Sequence, residues 1–179
     1  SNTIKTVSRT YNAAYEACVM LCKDKDDTIQ KGKGIYIWSK GPGTGKSTLL
    51  ACVRNSFVSE YKPCVFINSS DLIGYASYRN DDDGKKFNFA MFSRVPVLIV
   101  DDIGAQSLDR NSNYCGWAND VWYSLLEKRN RNNLSTMFSS NYSPNGLKDR
   151  GYDFKTVDRI SERCAGNVYE IEGSSFRGI

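Results

Sequence analysis

Lys40-Gly41-Pro42-Gly43-Thr44-Gly45-Lys46-Ser47-Thr48 decides the fold class of this 179-residue chain. Before it stands Gly34-Ile35-Tyr36-Ile37-Trp38, an apolar run that reads as a buried strand. After it, Ser47-Thr48-Leu49-Leu50-Ala51-Cys52-Val53 reads as the first turns of a helix. Strand, glycine-rich turn and helix in that order make a phosphate-binding loop. The glycines let backbone N–H groups curl around the β- and γ-phosphates, and the helix N-terminus adds positive potential. In that setting Lys46 reaches phosphate oxygens and the Ser47 hydroxyl is placed to hold Mg²⁺. One position departs from the G-x-x-x-x-G-K-[ST] spacing. Counting back from Gly45, Lys40 stands where the first glycine belongs, and a glycine follows only at Gly41.

Outward from the loop, Cys64–Asn68, Val95–Val100, Leu134–Phe138 and Asn167–Ile171 read as four further strands. Helical spacing of apolar residues covers Ser8–Cys22, the stretch from 47 to about 60, and Trp117–Arg129. Alternating strands and helices predict an α/β domain with a five-stranded parallel sheet flanked by helices. We take 1–179 as one domain, with a helix and a charged connector over 1–33 and the sheet core over 34–179. The stretch after Asn141 is too short for a separate helical lid. Within 71–93, two short helical pieces are expected around an exposed turn at Asn80–Lys86. Its Asp81-Asp82-Asp83 triplet reads as a solvated turn, since it lacks the further oxygen ligands of a calcium loop.

A net charge of +4 permits contact with nucleic acid without demanding it. No segment approaches the ~18–20 apolar residues of a membrane helix. The six cysteines form no C-x-x-C pair and there is no histidine, which argues against a zinc site and a disulfide framework. A reducing cytoplasm fits this composition. The start, Ser1-Asn2-Thr3-Ile4, has neither an initiator methionine nor a signal-peptide core, so the sequence reads as an excised or processed piece.

Asp101 and Asp102 follow directly on the 95–100 run, at the strand end where ligands bind in open α/β sheets. Beside a phosphate loop, Asp101 is placed to hold Mg²⁺ and Asp102 to orient or deprotonate an attacking water. An alternative is a helix-capping pair. Asn141 ends the next strand, where an uncharged amide can bond the γ-phosphate or the lytic water; alone it is a turn former. Arg159 and Arg163 lie four residues apart on one helical face. They read either as a solvated face paired with Asp158 and Glu162, or as an arginine supplied in trans to a neighbour's γ-phosphate.

The order of these motifs resembles the AAA+ ATPases, and within them the helicase loaders of the DnaC/DnaI type. The resemblance is carried by Val97–Ala105, Phe138–Pro144, Arg159–Arg163 and Val168–Arg177. It implies that Gly41, Pro42, Gly43, Thr44, Gly45, Lys46, Ser47 and Thr48 bind ATP, with Ser47 and Asp101 on Mg²⁺. It implies further that Asp101 and Asp102 form the Walker B pair, that Asn141 is sensor 1, that Arg163 is the arginine finger and that Arg177 takes a sensor-2-like position. As partners it implies a DnaB-family replicative helicase, single-stranded DNA and further copies of the chain, bound through the finger. Lys85, Lys86, Tyr75 and Tyr78 lie where such proteins carry a DNA-binding helical element. Two other readings stay open: a transposition helper ATPase of the IstB type, to which 172–177 is also similar, and an ATP-dependent adaptor with little hydrolysis. Asp102, where many AAA+ proteins carry glutamate, fits slow turnover.

Overall fold

A computed structural model of the chain describes residues 9–77, 89–108, 112–173 and 175. Five strands form one sheet in the order β2-β3-β4-β1-β5, all parallel. They are β1 (Ile35–Trp38), β2 (Cys64–Asn68), β3 (Val97–Ile103), β4 (Ser135–Ser140) and β5 (Val168–Glu170). Side chains alternate across a strand, and here both faces are apolar because both are covered. Ile35, Ile37, Val97, Ile99 and Met137 point to one face, where Leu50, Val53 and Phe57 of α3 (Lys46–Ser59) and Ala14, Cys18 and Leu21 of α1 (Arg9–Lys23) close over them. Tyr36, Leu98, Val100 and Phe138 point to the other, under Trp122, Leu125 and Leu126 of α5 (Asn113–Arg131) and Val157 and Ile160 of α6 (Phe154–Arg163). The expected α/β sheet core is therefore present.

Three local features differ from the sequence expectation. The charged stretch 23–33 is not a plain connector but carries α2 (Lys25–Gln30). The Asp24 carboxylate accepts from the Asp27 N–H at 2.9 Å, the Thr28 hydroxyl donates to Leu21 O, and Lys25 is buried between Cys22 O and the Glu60 carboxylate. Next, α5 begins four residues earlier than its apolar periodicity indicates, because Ser112 caps it by accepting from the Cys115 N–H. Finally, β3 and β4 run on through Ile103 and Ser140, so Asp101, Asp102 and Ser139 belong to strands rather than to the loops after them. Residues 71–77 complete α4 (Ser69–Ser77) and 89–91 form a 3₁₀ turn, whereas the expected turn at 80–86 lies outside the described residues.

At the far end of the sheet, Arg129 of α5 is fully buried. It donates to Thr136 Oγ1 (2.9 Å), Phe92 O (2.6 Å), Val95 O (2.9 Å) and Ser135 O (2.6 Å), fastening the approach to β3 onto the start of β4. Burial, with a smaller contribution from the Arg163 charge, pulls its pKa down to about 9, so it still carries its proton at neutral pH.

Candidate nucleotide site

The site lies beyond the C-terminal ends of β1, β3 and β4. After Trp38 the chain enters a loop closed by Gly43 (φ +78°) and Gly45 (φ +87°), both in the left-handed region where only glycine rests without strain. The displaced glycine of the motif has a physical reading: a Cβ at Gly41 would meet nothing within 4 Å. Loop closure therefore needs Gly43 and Gly45 but not a particular residue at 40 or 41, and Lys40 is exposed. Gly45 caps α3 without a side-chain acceptor, and Ser47 and Thr48 stand exposed on that first turn. A helix start without a side-chain cap, beside two exposed hydroxyls, suits an anion and its counter-cation.

Lys46 is turned into the loop and almost buried. Its ammonium donates to Ser39 Oγ (2.6 Å), Gly41 O (3.0 Å), Thr44 Oγ1 (3.4 Å) and Asn141 Oδ1 (3.0 Å). Ser39 and Thr44 also bond each other at 2.8 Å, and Ser39 donates to Gly41 O. Asn141 then spans two strand ends: its carbonyl takes Lys46, and its amide donates to Asp102 Oδ1 at 3.2 Å. A line Lys46–Asn141–Asp102 thus joins the ends of β1, β4 and β3. Burial, reinforced by the Asp101 carboxylate, raises the Asp102 pKa above the usual range, while the Lys46 charge works against that rise.

Asp102 has φ +55°, a left-handed turn in a residue that is not glycine. It sits in a bulge: Val100 pairs with Phe138 and Ile103 with Ser140, so Asp101 and Asp102 together oppose Ser139. Three serines satisfy the displaced groups. Ser139 Oγ accepts from the Asp102 N–H (2.9 Å) and donates to Asp101 Oδ1, Ser69 Oγ donates to Asp102 O (2.9 Å), and Ser140 Oγ donates to Ile103 O (2.6 Å). Sequence reasoning missed Ser39, Ser69 and Ser139. A signal was there: each is a small hydroxyl residue at the end of an apolar strand.

No family model matches the chain. It is 32% identical over 119 residues to the replicative helicase loader DnaI of Bacillus subtilis, covering 66% of this chain and 36% of that protein. The crystal structure of the DnaC helicase loader superposes with a TM-score of 0.74 at 20% identity, covering 96% of this chain and 95% of the other. The domain has the fold of these helicase loaders. A structure of the replication initiator DnaA bound to AMPPCP and single-stranded DNA shares the fold, with a TM-score of 0.67 at 16% identity over 96% of this chain and 48% of that one. The chain spans just over a third of DnaI and about half or less of the other curated relatives it matches.

Within this fold the expected residues divide. Gly41–Thr48, Asp101, Asp102 and Asn141 come together. Arg163 does not join them: it lies at the opposite end of the strands, before β1 and β4. Its guanidinium donates to Gly32 O (2.6 Å), Asn133 Oδ1 (3.1 Å), Asn130 Oδ1 (3.0 Å) and Asn130 O (3.1 Å). The expected pairing with Asp158 and Glu162 belongs to Arg159, which also meets Glu127. Arg177, Tyr78, Lys85, Lys86 and the triplet at 81–83 lie outside the described residues; Tyr75 packs against Phe92. All six cysteines are free thiols, and no described helix is long and apolar enough to cross a membrane.

Proposed function

We propose that this AAA+ core binds and hydrolyses ATP with Mg²⁺, in the cytoplasm, to help place a hexameric DnaB-family helicase on single-stranded DNA during the initiation of replication. The observation that carries the chemical half is the Lys46–Asn141–Asp102 line across three strand ends. The recognition half rests on likeness to proteins named as replicative helicase loaders.

The residues present fit ATP and Mg²⁺: a glycine loop ahead of an uncapped helix start, an inward lysine, and a hydroxyl and a carboxylate of the right types at Ser47 and Asp101. Bound there, Mg²⁺ neutralises phosphate charge and polarises the γ-phosphoryl oxygens. Lys46 binds the β- and γ-phosphates by exchanging its loop oxygens for theirs. Asp102 orients the attacking water and accepts its proton, a task helped by the rise that burial gives its pKa. Asn141 holds the carboxylate in place and reports the position of Lys46 to it. The trans role of Arg163 belongs to the same proposal. It requires the guanidinium to leave Gly32, Asn130 and Asn133 when a second copy docks.

ATP turnover with and without single-stranded DNA, in wild type and Lys46→Ala, tests the reading. Lys46→Ala is expected to abolish both ATP binding and DNA-stimulated turnover. Turnover independent of Lys46 refutes the enzyme assignment. Co-sedimentation with a DnaB-family helicase tests the partner, and a preference for duplex DNA with no helicase contact favours the transposition-helper reading.

A further inference from the structure

The bulge at Asp101–Asp102 is the least expected feature of the site, and one buried side chain holds it from the facing strand. Ser139 is 1% exposed and lies opposite both carboxylate residues. A backbone N–H can only donate, so in its contact with Asp102 the Ser139 hydroxyl is the acceptor. Its own proton therefore goes to the other partner, the Asp101 carboxylate. The two bonds leave the hydroxyl no freedom. Rotating it to release either partner would leave a half-buried N–H or a half-buried carboxylate oxygen without this bond. One oxygen thus fixes the rotation of the Asp101 side chain and takes the N–H that the bulge turns away from the ladder. Ser69 secures the carbonyl side of the same residue, so the left-handed turn at Asp102 is held at both ends.

We infer that Ser139 is a positioning residue for this site, orienting Asp101 toward the metal of a metal–nucleotide complex and Asp102 toward the reacting phosphate. This rests on the nucleotide-site reading above. Asp101 is the proposed Mg²⁺ ligand, and Ser139 stands behind it as the hydrogen-bond partner that sets a ligand's direction; loss of such a partner lowers metal affinity or activity about ten- to a hundredfold. A merely structural serine would instead affect nucleotide binding alike with or without the cation.

The test uses isothermal titration with ATP, in EDTA and across a Mg²⁺ series, on wild type, Ser139→Ala, Ser139→Cys and Ser139→Thr. Cysteine keeps a weak donor and acceptor at the place of the hydroxyl while weakening both bonds, so it answers the question if the alanine variant fails to fold. In EDTA, ATP affinity is expected to match wild type. The Mg²⁺ concentration that half-saturates the gain in affinity should rise about tenfold or more in the alanine and cysteine variants, and threonine should restore most of it. An unchanged Mg²⁺ requirement overturns the inference. So does a loss of ATP affinity that is equal in EDTA and in Mg²⁺. A wild type that binds no ATP overturns the nucleotide-site reading itself, and the inference with it. A wild type that binds Mg²⁺·ATP without turning it over removes only the hydrolysis proposal and leaves this test intact.

Discussion

Replacing Arg129 with methionine probes whether a buried cation, rather than apolar packing, anchors the approach to β3. Its four hydrogen bonds all run to neutral oxygens: the carbonyls of Phe92, Val95 and Ser135 and the hydroxyl of Thr136. Bonds from a charged donor contribute roughly 1.5–3 kcal/mol each, so the gross loss is on the order of 6–12 kcal/mol. Against that, a fully buried guanidinium carries a desolvation penalty of several kcal/mol, which methionine, unbranched and apolar, removes. The three carbonyls then lack their donor, and that residue of unpaired groups sets the sign. The net expectation is a loss of about 2–4 kcal/mol. For a domain of this size the thermal midpoint should fall by roughly 5–15 °C. Urea and thermal unfolding followed by circular dichroism measure it. Arg129→Lys serves as the control, because a point ammonium cannot span acceptors that the planar fork reaches from two sides. Methionine within about 0.5 kcal/mol of wild type, the range of an inconsequential surface substitution, would refute the reasoning. So would lysine as stable as arginine.

Asp102→Asn should abolish turnover while raising the thermal midpoint of the nucleotide-free protein at neutral pH. The folded pKa of Asp102 is raised by burial and by Asp101, so the folded state holds its proton more tightly than the unfolded chain does. The stability this provides is present at acid pH and is lost as pH rises through the folded pKa. The gap between variant and wild-type midpoints should accordingly narrow on acidification through the carboxylate range, and a pH-independent gap contradicts the assignment. Arg163→Ala should lower assembly-dependent ATPase while the monomer still binds ATP. Because it also removes bonds to Gly32, Asn130 and Asn133, it should lower monomer stability by about 1–3 kcal/mol. A variant of unaltered stability would mean those bonds are dispensable, and loss of monomeric ATP binding would contradict a role in trans.

The sheet was legible because its strands are continuous apolar runs. Val97–Val100 and Ile35–Ile37 have no polar position to spare, since helices cover both faces. The loop, Asp101, Asp102 and Asn141 were legible because phosphate chemistry demands particular residue types at strand ends. Ser139 was not, because a serine at a strand end is common and its meaning depends on a register shift. Only pairing across β3 and β4 reveals that two residues oppose one. Helix α2 was missed for a related reason: its six residues carry no apolar stripe, and what holds them is an Asp24 cap and a buried Lys25. Arg129 stands at the end of the predicted helix, where cations usually sit in solvent, and nothing local distinguishes it from Arg131, which is exposed and paired to Glu127.

The three serines and Asn141 give the resting site a property that its charged residues alone would not have. Lys46 at the start of α3 and Asp102 near the end of β3, a cation and an anion, do not pair directly but meet through the Asn141 amide. A direct ion pair would hold the lysine against the carboxylate and lower the Asp102 pKa. The amide stands between them, taking the Lys46 ammonium on its oxygen and donating to the Asp102 carboxylate, whose pKa burial still raises. The bulge serves the same end, since a regular strand would send Asp101 and Asp102 to opposite faces of the sheet. The left-handed turn at Asp102, held by Ser69 and Ser139, breaks that alternation at the two adjacent carboxylate residues.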